Sequence, residues 1–377
     1  MTLLLLLAAA LAAAPGPTAD PGAPPAEEWR RSPEARAVLA APDPEAIRRG
    51  GLEAGAVFRV LGHEPGRTCA DWGRLEAGGW LCLDGIPPAA PPTLGDAPDL
   101  PWFYAQRAPG AAGKVYADHA AWGAGRPAHE ELRWGWAYAF TAREPTERVE
   151  IAVRVDGAVI PLAELQLYTP SAFAGRDLRA EPLDEGELLG WCLERTGCAR
   201  GEGVFPYLST FTLRIPQAWP SGRITTWTPP EPPPEPVAPG VAWVEVRLGP
   251  NTLTLVRDGA PELATLVAPG LGGRHRTPTG SFHVIDKHVA NDMTSRPRAA
   301  EEYHVEKVPW VVHFYPRYAL HGAYWHDRFG RRQSHGCVNL SPADAHHVFE
   351  RLAPALPTGW SAIWPSEADP GALVVIR

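Results

Sequence analysis

The residues best suited to covalent chemistry lie close together near the C-terminal end of the chain. Cys337 stands in the run Ser-His-Gly-Cys-Val-Asn at 334–339, and His321 lies sixteen residues upstream of it. A thiolate is the reactive form of cysteine, but a free cysteine is mostly protonated at pH 7 and needs a neighbouring base. His321 and His335 are the candidate bases, and Gly336 allows backbone N–H groups to approach a developing oxyanion. The pattern therefore predicts an activated thiol.

A second motif precedes this pair. The run Thr-Pro-Thr-Gly-Ser-Phe at 277–282 comes before the His-Gly pair at 321–322, which comes before the cysteine motif. The three motifs in this order resemble the L,D-transpeptidase catalytic domain, also called the YkuD domain. The resemblance covers residues 241–377 and implies a mostly β fold, a β-sandwich with one short helix after the cysteine motif.

The resemblance also implies roles. Cys337 is the expected nucleophile, His321 the general base and His335 a residue that shapes the site, although the two histidines could exchange roles. The backbone N–H groups of His335, Gly336 and Cys337 are expected to form an oxyanion hole, and Ser334 to hold the turn by a local hydrogen bond. Asn339 stands where most family members carry arginine. This departure bears on how a substrate carboxylate or an acceptor is handled, not on the acyl chemistry.

The loop between the histidine and cysteine motifs offers further candidates. Arg331 or Arg332 could bind a substrate carboxylate, with Tyr324 as a further contact, although a solvated loop with surface arginines explains them equally well. A zinc site would be the other chemical interpretation of this region, with its ligands drawn from His321, His326, His335 and Cys337. The resemblance assigns these residues to thiol chemistry instead, so no metal or organic cofactor is expected.

Composition narrows the class of protein. The chain has 377 residues and a formal net charge of −8, and no dense basic run occurs, so nucleic-acid binding is not expected. Residues 1–14 form an apolar run that is too short to span a bilayer and ends in an Ala-x-Ala pattern. They predict a signal peptide, hence export to the periplasm or cell envelope with no transmembrane segment in the mature chain. An uncleaved apolar helix is the alternative.

The five cysteines agree with export. Cys69 with Cys82 and Cys192 with Cys198 form two local pairs that are predicted to be disulfides, leaving Cys337 as the odd thiol. The alternative is five free or buried thiols in a cytosolic protein.

Upstream of residue 241 the sequence predicts several segments. Residues 15–34 are expected to be a disordered lead-in, and 35–86 resemble a bacterial SH3-like barrel. Residues 102–215 are expected to form a second β-rich module, for which another such barrel is one interpretation. Residues 216–240 include a proline-rich run and are expected to be a semi-rigid linker. The tryptophans of this half could stack on carbohydrate, but core packing is favoured; they are Trp29, Trp72, Trp80, Trp102, Trp122, Trp134 and Trp136.

Within 241–377 the periodicity predicts the local structure. Alternating apolar residues predict strands at 243–248, 252–256, 263–267, 309–314, 318–322 and 371–376. Ser341 is a good N-cap and Pro342 suits the first helical position, so a helix is predicted at 341–352.

By resemblance, the substrates are two peptidoglycan stem peptides, one donor and one acceptor, and the function is a step of cell-wall synthesis that supports cell shape. Cys337 is expected to form a thioester with loss of D-alanine, which the acceptor amine resolves into a 3→3 cross-link. A hydrolytic member of the same fold, an L,D-carboxypeptidase or amidase, is one alternative. A non-catalytic wall-binding protein is another, against which the intact His321, Gly336 and Cys337 argue. The chain is expected to act as a monomer.

Overall fold

The computed structural model describes residues 27–92, 100–128, 130–147, 149–200, 203–214, 220–295 and 302–377. The predicted signal peptide at 1–14 lies outside these residues. Within the ranges described, no helix has the length and apolar character needed to cross a bilayer.

The fold is mostly β. Upstream of residue 241 the elements are β1 (Glu28–Arg31), β2 (Arg36–Leu39), β3 (Arg48–Leu52), β4 (Val57–Glu64), β5 (Trp72–Leu75), β6 (Trp80–Cys82), β7 (Phe103–Arg107), α1 (His119–Gly123), β8 (Ala137–Pro145), β9 (Glu150–Arg154), β10 (Val159–Pro161), β11 (Leu165–Leu167), β12 (Arg176–Asp177), β13 (Glu187–Cys192), β14 (Cys198–Arg200), β15 (Gly203–Phe205), β16 (Thr210–Arg214) and β17 (Ile224–Thr226). The elements that follow are β18 (Ala242–Arg247), β19 (Thr252–Arg257), β20 (Ala260–Leu266), β21 (Gly280–His283), β22 (Asp286–Thr294), β23 (His304–Tyr315), β24 (Tyr318–Gly322), β25 (Val338–Leu340), α2 (Pro342–Arg351), β26 (Trp360–Ile363) and β27 (Leu373–Ile376).

The C-terminal part is a sandwich. One sheet has the strand order β12-β20-β19-β18-β27-β21, and β22 to β25 belong to the other. Alternate residues of β18 and β19, such as Val244 and Leu255, pack in one core with Val312 of β23, Leu340 of β25 and Val348 of α2. The alternation read from the sequence thus points the apolar side chains of both sheets into a shared core.

The helix after the cysteine motif confirms its sequence signals. Ser341 is the N-cap and its hydroxyl accepts from the backbone N–H of Asp344 at 3.2 Å, with Pro342 in the first turn. Val348 and Phe349 are buried on the side that faces the sandwich core. This helix closes the end of the sandwich behind β25.

The first sheet upstream is continuous with the C-terminal sandwich. Its order is β1-β4-β5-β6-β2-β3, and β3 then pairs with β26, with Leu52 opposite Trp360. Trp360 and Ile363 are members of its apolar core. The Cys69–Cys82 disulfide is present. The SH3-like barrel at 35–86 stays a prediction, but the strands there do not form an isolated unit, because one of their edges is covered by β26.

The second upstream module also docks on the sandwich. Strand β8 pairs in parallel with β23, with Ala137 opposite Val305. The Tyr104 ring stacks on the buried Tyr324 ring at 3.6 Å between centroids, and its hydroxyl donates to the Lys307 carbonyl at 3.0 Å. Of the upstream tryptophans, Trp72 is buried as core packing predicts, whereas Trp134 is exposed.

Two strands fall within segments that were predicted to be irregular. Glu28–Arg31 lies in the predicted disordered lead-in but is a strand, because it pairs antiparallel with Val57–Val60 of β4. Ile224–Thr226 lies in the predicted linker but is a strand that pairs with β13. Both are short runs whose strand conformation depends on a partner far away in the sequence.

The proline-rich run at 228–239 forms neither helix nor strand, as its missing amides predict. It is not a free linker between two separate domains, however. Arg247 donates to the Pro229 carbonyl and Arg377 to the Pro232 carbonyl, each at 3.1 Å. Just before it, Trp227 is buried and donates to Thr254 Oγ1 at 2.9 Å. The predicted spacer is therefore a segment that is bound by hydrogen bonds along the outer side of β18.

Residues 173–193 pack on the sandwich as well. Phe173, Leu189 and Trp191 share a core with Leu266 of β20 and Phe329. The Cys192–Cys198 disulfide closes the loop that follows β13. Both predicted disulfides are thereby confirmed.

Candidate active site

One cavity of about 250 Å³ gathers the motif residues. From the two motifs and the loop between them it is lined by His321, Trp325, Gln333, Ser334, His335, Cys337 and Asn339. The rest of its lining comes from Gly135, Ala137, Tyr168, Met293, Tyr303 and Val305. The second upstream module and the β22–β23 hairpin therefore supply the wall opposite the motifs.

Strand pairing explains why the motifs meet. β24 and β25 are parallel neighbours, and His321 lies opposite Asn339 in their register. Cys337 lies in the bend directly before β25, two residues ahead of Asn339. His321, Cys337 and Asn339 all line the same cavity, although sixteen residues separate the first two in the sequence.

The hydrogen bonds of His321 fix its tautomer. The side chain is 2% exposed, and Nδ1 lies 3.1 Å from the Gly322 carbonyl oxygen, which can only accept. The proton is therefore on Nδ1, and Nε2 carries a lone pair. Burial lowers the pKa of His321 to about 4, and the hydrogen bond to the Gly322 carbonyl opposes that shift without cancelling it. At neutral pH the imidazole is uncharged and able to take a proton.

Cys337 is a free, partly exposed thiol. Its S–H group donates a long contact of 3.9 Å to the Arg317 carbonyl. Burial raises the pKa of the thiol, and the backbone N–H of Ala319 opposes that shift. The thiol is therefore protonated at neutral pH, and it lines the same cavity as the uncharged imidazole of His321.

A glycine turn carries the cysteine. Gly336 has φ +127°, and a Cβ there would overlap the Tyr318 ring. The Gly336 N–H donates to Ser334 Oγ at 3.0 Å, and Ser334 Oγ donates to the Cys337 carbonyl. Ser334 thus holds both sides of the turn, and the Gly336 amide is engaged with it.

The Thr-Pro-Thr-Gly motif supports this turn from behind. Buried Thr277 accepts from the Gly270 N–H at 2.9 Å, and the neighbouring Leu271 N–H donates to the Ser334 carbonyl at 3.0 Å. A Cβ on Gly270 would lie 3.0 Å from the Gly336 Cα. The two sequence motifs are therefore linked through the Gly270–Leu271 segment, which contacts both of them.

His335 and Asn339 occupy different environments. His335 is exposed and its ring stacks on Tyr303 at 5.1 Å between centroids, with the edge of His275 at 4.5 Å. Asn339 is 3% exposed, and its side-chain amide lies 2.9 Å from His326 Nε2. Its backbone N–H and carbonyl both pair with Ala268.

The structure does not bring the three suggested substrate contacts to the cavity. Tyr324 is fully buried, and its hydroxyl donates to the Glu306 carbonyl at 2.9 Å. The guanidinium of Arg331 donates to the Leu193 carbonyl, and that of Arg332 donates to the Leu248 carbonyl at 3.1 Å. Tyr324 is thus used in packing, and both arginines are hydrogen-bonded to backbone carbonyls. The sequence could not show these contacts.

The zinc interpretation also lacks support. Among the described residues, His321, His326, His335 and Cys337 do not bring three ligand atoms within reach of one ion. Asp286, His288 and His313 do come within 4.8 Å of one another, but on β22 and β23 and outside the cavity lining.

Sequence reasoning missed the wall opposite the motifs. Tyr168 and Ala137 come from the second module, and Met293 and Tyr303 from the β22–β23 hairpin. No motif marks these residues, since they reach the cavity only through non-local strand pairing. Trp325 is four residues from His321 and its ring lies 5.8 Å from the imidazole, so proximity in the sequence was the one available signal.

Comparisons with known proteins bear on the C-terminal part. Solved structures that resemble the chain include L,D-transpeptidase 3 from Mycobacterium tuberculosis in complex with a faropenem-derived adduct, at 20% identity and TM-score 0.29, covering 36% of this chain and 60% of that one. An Enterococcus faecium L,D-transpeptidase matches at 20% identity and TM-score 0.29, covering 36% of this chain and 50% of that one. An L,D-transpeptidase from Stackebrandtia nassauensis matches at 26% identity and TM-score 0.26, covering 36% and 55%.

The chain thus spans less than two thirds of these proteins. A search of curated proteins finds no match. The family model of the L,D-transpeptidase catalytic domain, YkuD, matches residues 241–376, the segment that holds β18 to β27 and all three motifs. Residues 241–376 are therefore the part of this chain that is similar to the YkuD L,D-transpeptidase catalytic domain.

Proposed function

We propose that this protein is a cysteine-dependent L,D-transpeptidase that acts on peptidoglycan stem peptides. The observation that carries the proposal is the shared cavity of Cys337 and His321, in which the imidazole is neutral and its Nδ1 proton is held by the Gly322 carbonyl. A lone pair on Nε2 is what a general base for a thiol requires.

In the first half-reaction the Cys337 thiol turns from the Arg317 carbonyl toward His321, and its proton passes to Nε2. The sulfur attacks the carbonyl carbon between the third stem residue and the terminal D-alanine. When the tetrahedral adduct collapses, the C–N bond breaks and imidazolium His321 returns the proton to the leaving amine. The product is a thioester on Cys337 and free D-alanine.

In the second half-reaction the amine of an acceptor stem attacks the thioester carbonyl. It loses a proton to His321, the C–S bond breaks, and the proton returns to the Cys337 sulfur. The result is a 3→3 amide cross-link, with no change in redox state and no cofactor.

The oxyanion of both adducts is assigned to the backbone amides of the 335–337 turn. The Cys337 N–H is the principal donor, because the Gly336 N–H already donates to Ser334 Oγ. Removing one such donor typically lowers kcat by a factor of about 10²–10³.

Export to the periplasm or cell envelope belongs to the same proposal. The two disulfides are stable in an oxidising compartment, which is where stem peptides lie. The second upstream module, which lines part of the cavity, is proposed to help position the peptidoglycan.

The test is to incubate the purified full chain with a disaccharide-tetrapeptide and to analyse products by mass spectrometry beside Cys337→Ala. Transpeptidation predicts a cross-linked dimer lacking one D-alanine, and Cys337→Ala yields none. A tripeptide as the sole product would replace the proposal by hydrolysis. Unchanged substrate with wild type would reject both and favour a non-catalytic wall-binding protein.

A further inference from the structure

Three side chains of metal-ligand type lie together at the open end of the β22–β23 hairpin, outside the catalytic cavity. Asp286 and His288 are two residues apart on β22, so their side chains point to the same face of the sheet. His313 of β23 lies opposite Asp286 in the antiparallel register, and such partners share a face. Lys287, between the two β22 residues, is buried on the other face. Strand pairing thus gathers two imidazoles and one carboxylate.

The ligand atoms of this group converge. Asp286 Oδ1 lies 2.5 Å from His313 Nδ1 and 3.0 Å from His288 Nε2, and the ligand atoms all lie within 4.8 Å of one another. Nitrogen and oxygen ligands of one tetrahedral Zn²⁺ lie about 2.1 Å from the ion and hence about 3.3 Å apart. The two imidazole rings are nearly perpendicular, at 83° with 5.8 Å between centroids, so they do not block each other. Small side-chain rotations therefore bring the group to the spacing of a metal site.

The carboxylate of Asp286 has no permanent cation beside it. In the part of the chain that the structure describes, no lysine or arginine nitrogen lies within 4.0 Å of it, and its ionic contacts are with the two histidines. A partly buried carboxylate without such a partner is stabilised by a bound cation. The three side chains are each 16–20% exposed, so an ion and its water ligands can reach them.

Hydrogen bonds alone are the competing explanation for this group. The carboxylate oxygen can accept an N–H from each ring, as the contacts to His288 and His313 allow. Metal binding requires lone pairs on His288 Nε2 and His313 Nδ1 instead. A neutral imidazole reaches that state by carrying its proton on the opposite ring nitrogen. The two explanations therefore differ in whether an ion replaces two protons, which a binding experiment decides.

Other combinations of possible ligands do not offer an equivalent site. The second group of three within reach of one ion consists of Asp84 and the Cys69–Cys82 disulfide, whose sulfurs carry no thiolate. His63 contacts two carboxylates, but its Nδ1 faces Asp71 and its Nε2 faces Glu28. The group on β22 and β23 is therefore the one, in the described ranges, whose ligand atoms converge without a covalent bond among them.

We propose that Asp286, His288 and His313 bind one divalent transition-metal ion of the Zn²⁺ class, with water in the remaining coordination positions. Two imidazoles and one carboxylate are a ligand set that Zn²⁺ accepts, whereas Ca²⁺ and Mg²⁺ prefer oxygen ligands alone. The ion fastens the start of β22 to the end of β23. The same hairpin carries Met293 and Tyr303 to the wall of the catalytic cavity, so the ion has a structural role in holding that wall.

Equilibrium dialysis against Zn²⁺, followed by elemental analysis, tests the site in the full chain without an affinity tag. The background variant is Cys337→Ala, since a free thiol also binds Zn²⁺. We expect one equivalent of Zn²⁺ per chain, with a Kd below about 10 μM. A weaker Kd, or the absence of a stoichiometric site, would overturn the proposal.

Matched variants in the same background assign the ion to these residues. Asp286→Asn keeps the size of the side chain and an oxygen that accepts from a histidine but loses the charge, and His288→Gln removes one nitrogen ligand. Each is expected to weaken Zn²⁺ binding at least about a hundredfold, because loss of a mere outer partner of a ligand already costs about 10–100-fold. His63→Gln, at a histidine with two carboxylate partners, is the control and should leave the Kd unchanged. A Kd unchanged in Asp286→Asn or His288→Gln would contradict the assignment.

Thermal unfolding tests the structural role and shows whether the variants fold. Zn²⁺ at a hundredfold excess over its Kd is expected to raise the melting temperature of the Cys337→Ala chain by at least about 2 °C. Asp286→Asn in the same background should unfold cooperatively, and the same Zn²⁺ concentration should not shift its melting temperature. Stoichiometric binding with no shift in the melting temperature would overturn the role in holding the hairpin.

The outcome is independent of the proposed function. Dialysis and thermal unfolding involve no turnover, and the background variant lacks the proposed nucleophile. The metal site is therefore confirmed or overturned whether or not the chain releases D-alanine from a tetrapeptide.

Discussion

The two side chains that are proposed to react, Cys337 and His321, are both neutral at rest. His321 is uncharged because burial lowers its pKa to about 4, and burial raises the pKa of the Cys337 thiol. Neither charge is present until the proton moves, so the low-polarity cavity opposes ionisation before a substrate arrives. Under the proposed mechanism the electrostatic stabilisation has to come from donors to the developing oxyanion, which the proposal assigns to the turn at 335–337.

The pH dependence of kcat/KM follows from the neutral base. Protonation of His321 removes the base, so activity is lost as pH falls through its pKa of about 4. We expect activity at pH 5, where a histidine with the ordinary pKa of about 6.5 would be almost fully protonated. A pH–rate profile checks this expectation, and an acid limb between pH 6 and 7 would contradict it. His335→Gln should leave the position of the acid limb unchanged, which decides which histidine is the base.

Gly336 is a position where the backbone conformation and its surroundings disfavour a side chain. Its φ of +127° disfavours side chains, and a Cβ would overlap Tyr318. We expect Gly336→Ala to destabilise the chain by about 1–3 kcal/mol and to lower kcat/KM by tenfold or more. Thermal unfolding and D-alanine release measure the two effects. Gly249→Ala, where a Cβ meets nothing within 4 Å, is the control and should change neither.

Among the elements, the packing of β22 against the end of α2 depends on a buried lysine. Lys287 is 0% exposed and donates to the carbonyls of Leu352 and Pro354, at 2.7 and 2.9 Å. Its Nζ also lies 4.4 Å from the Phe349 ring centroid. Burial lowers the pKa of this amine to about 7, since no carboxylate contacts it closely enough to offset desolvation.

The sign of the resulting pH effect can be stated. Between pH 7 and the ordinary lysine pKa of about 10.4, the unfolded chain binds a proton that the folded chain has released. The contribution of Lys287 to the free energy of unfolding therefore rises with pH in this range. Relative to Lys287→Met, wild type should gain up to about 1 kcal/mol per pH unit between pH 7 and 10. Urea unfolding at several pH values measures this, and a difference independent of pH would contradict it.

Some elements could be predicted from local sequence alone. Tyr318–Gly322 alternates and is a strand with the predicted bounds, and Ser341 with Pro342 fixed the start of α2. Glu28–Arg31 could not be predicted, since its strand conformation depends on β4, and the use of Arg331 and Arg332 on backbone carbonyls depends on loops that fold onto them. Local propensity determines the first kind of feature and tertiary pairing the second.

For the whole molecule, the main difference from expectation is that the upstream sheets and the YkuD domain share edges and cores. β3 pairs with β26, β8 pairs with β23, and Trp227 is inserted beside β19. The sequence predicts which kinds of domain are present. No sequence pattern marks a strand edge that another domain covers. The same docking brings Tyr168 and Ala137 to the cavity. Only the side of the candidate site that carries the motifs could therefore be predicted from the sequence.

Gly50 tests this docking. A Cβ at Gly50 would overlap the Trp360 ring of β26. If the two domains pack as described, Gly50→Ala should destabilise the full chain by about 1–3 kcal/mol through overpacking. Gly123→Ala, which meets nothing within 4 Å, is the matched control. A melting temperature for Gly50→Ala equal to that of wild type would show that the first sheet does not pack against β26 as described.

The arrangement of the five cysteines has a practical consequence. Four are locked in Cys69–Cys82 and Cys192–Cys198, which leaves a single sulfhydryl in the entire sequence. A maleimide applied without reductant can therefore modify only position 337. One adduct per molecule in an intact-mass spectrum would count competent enzyme in any preparation, and specific activities could be normalised to that count.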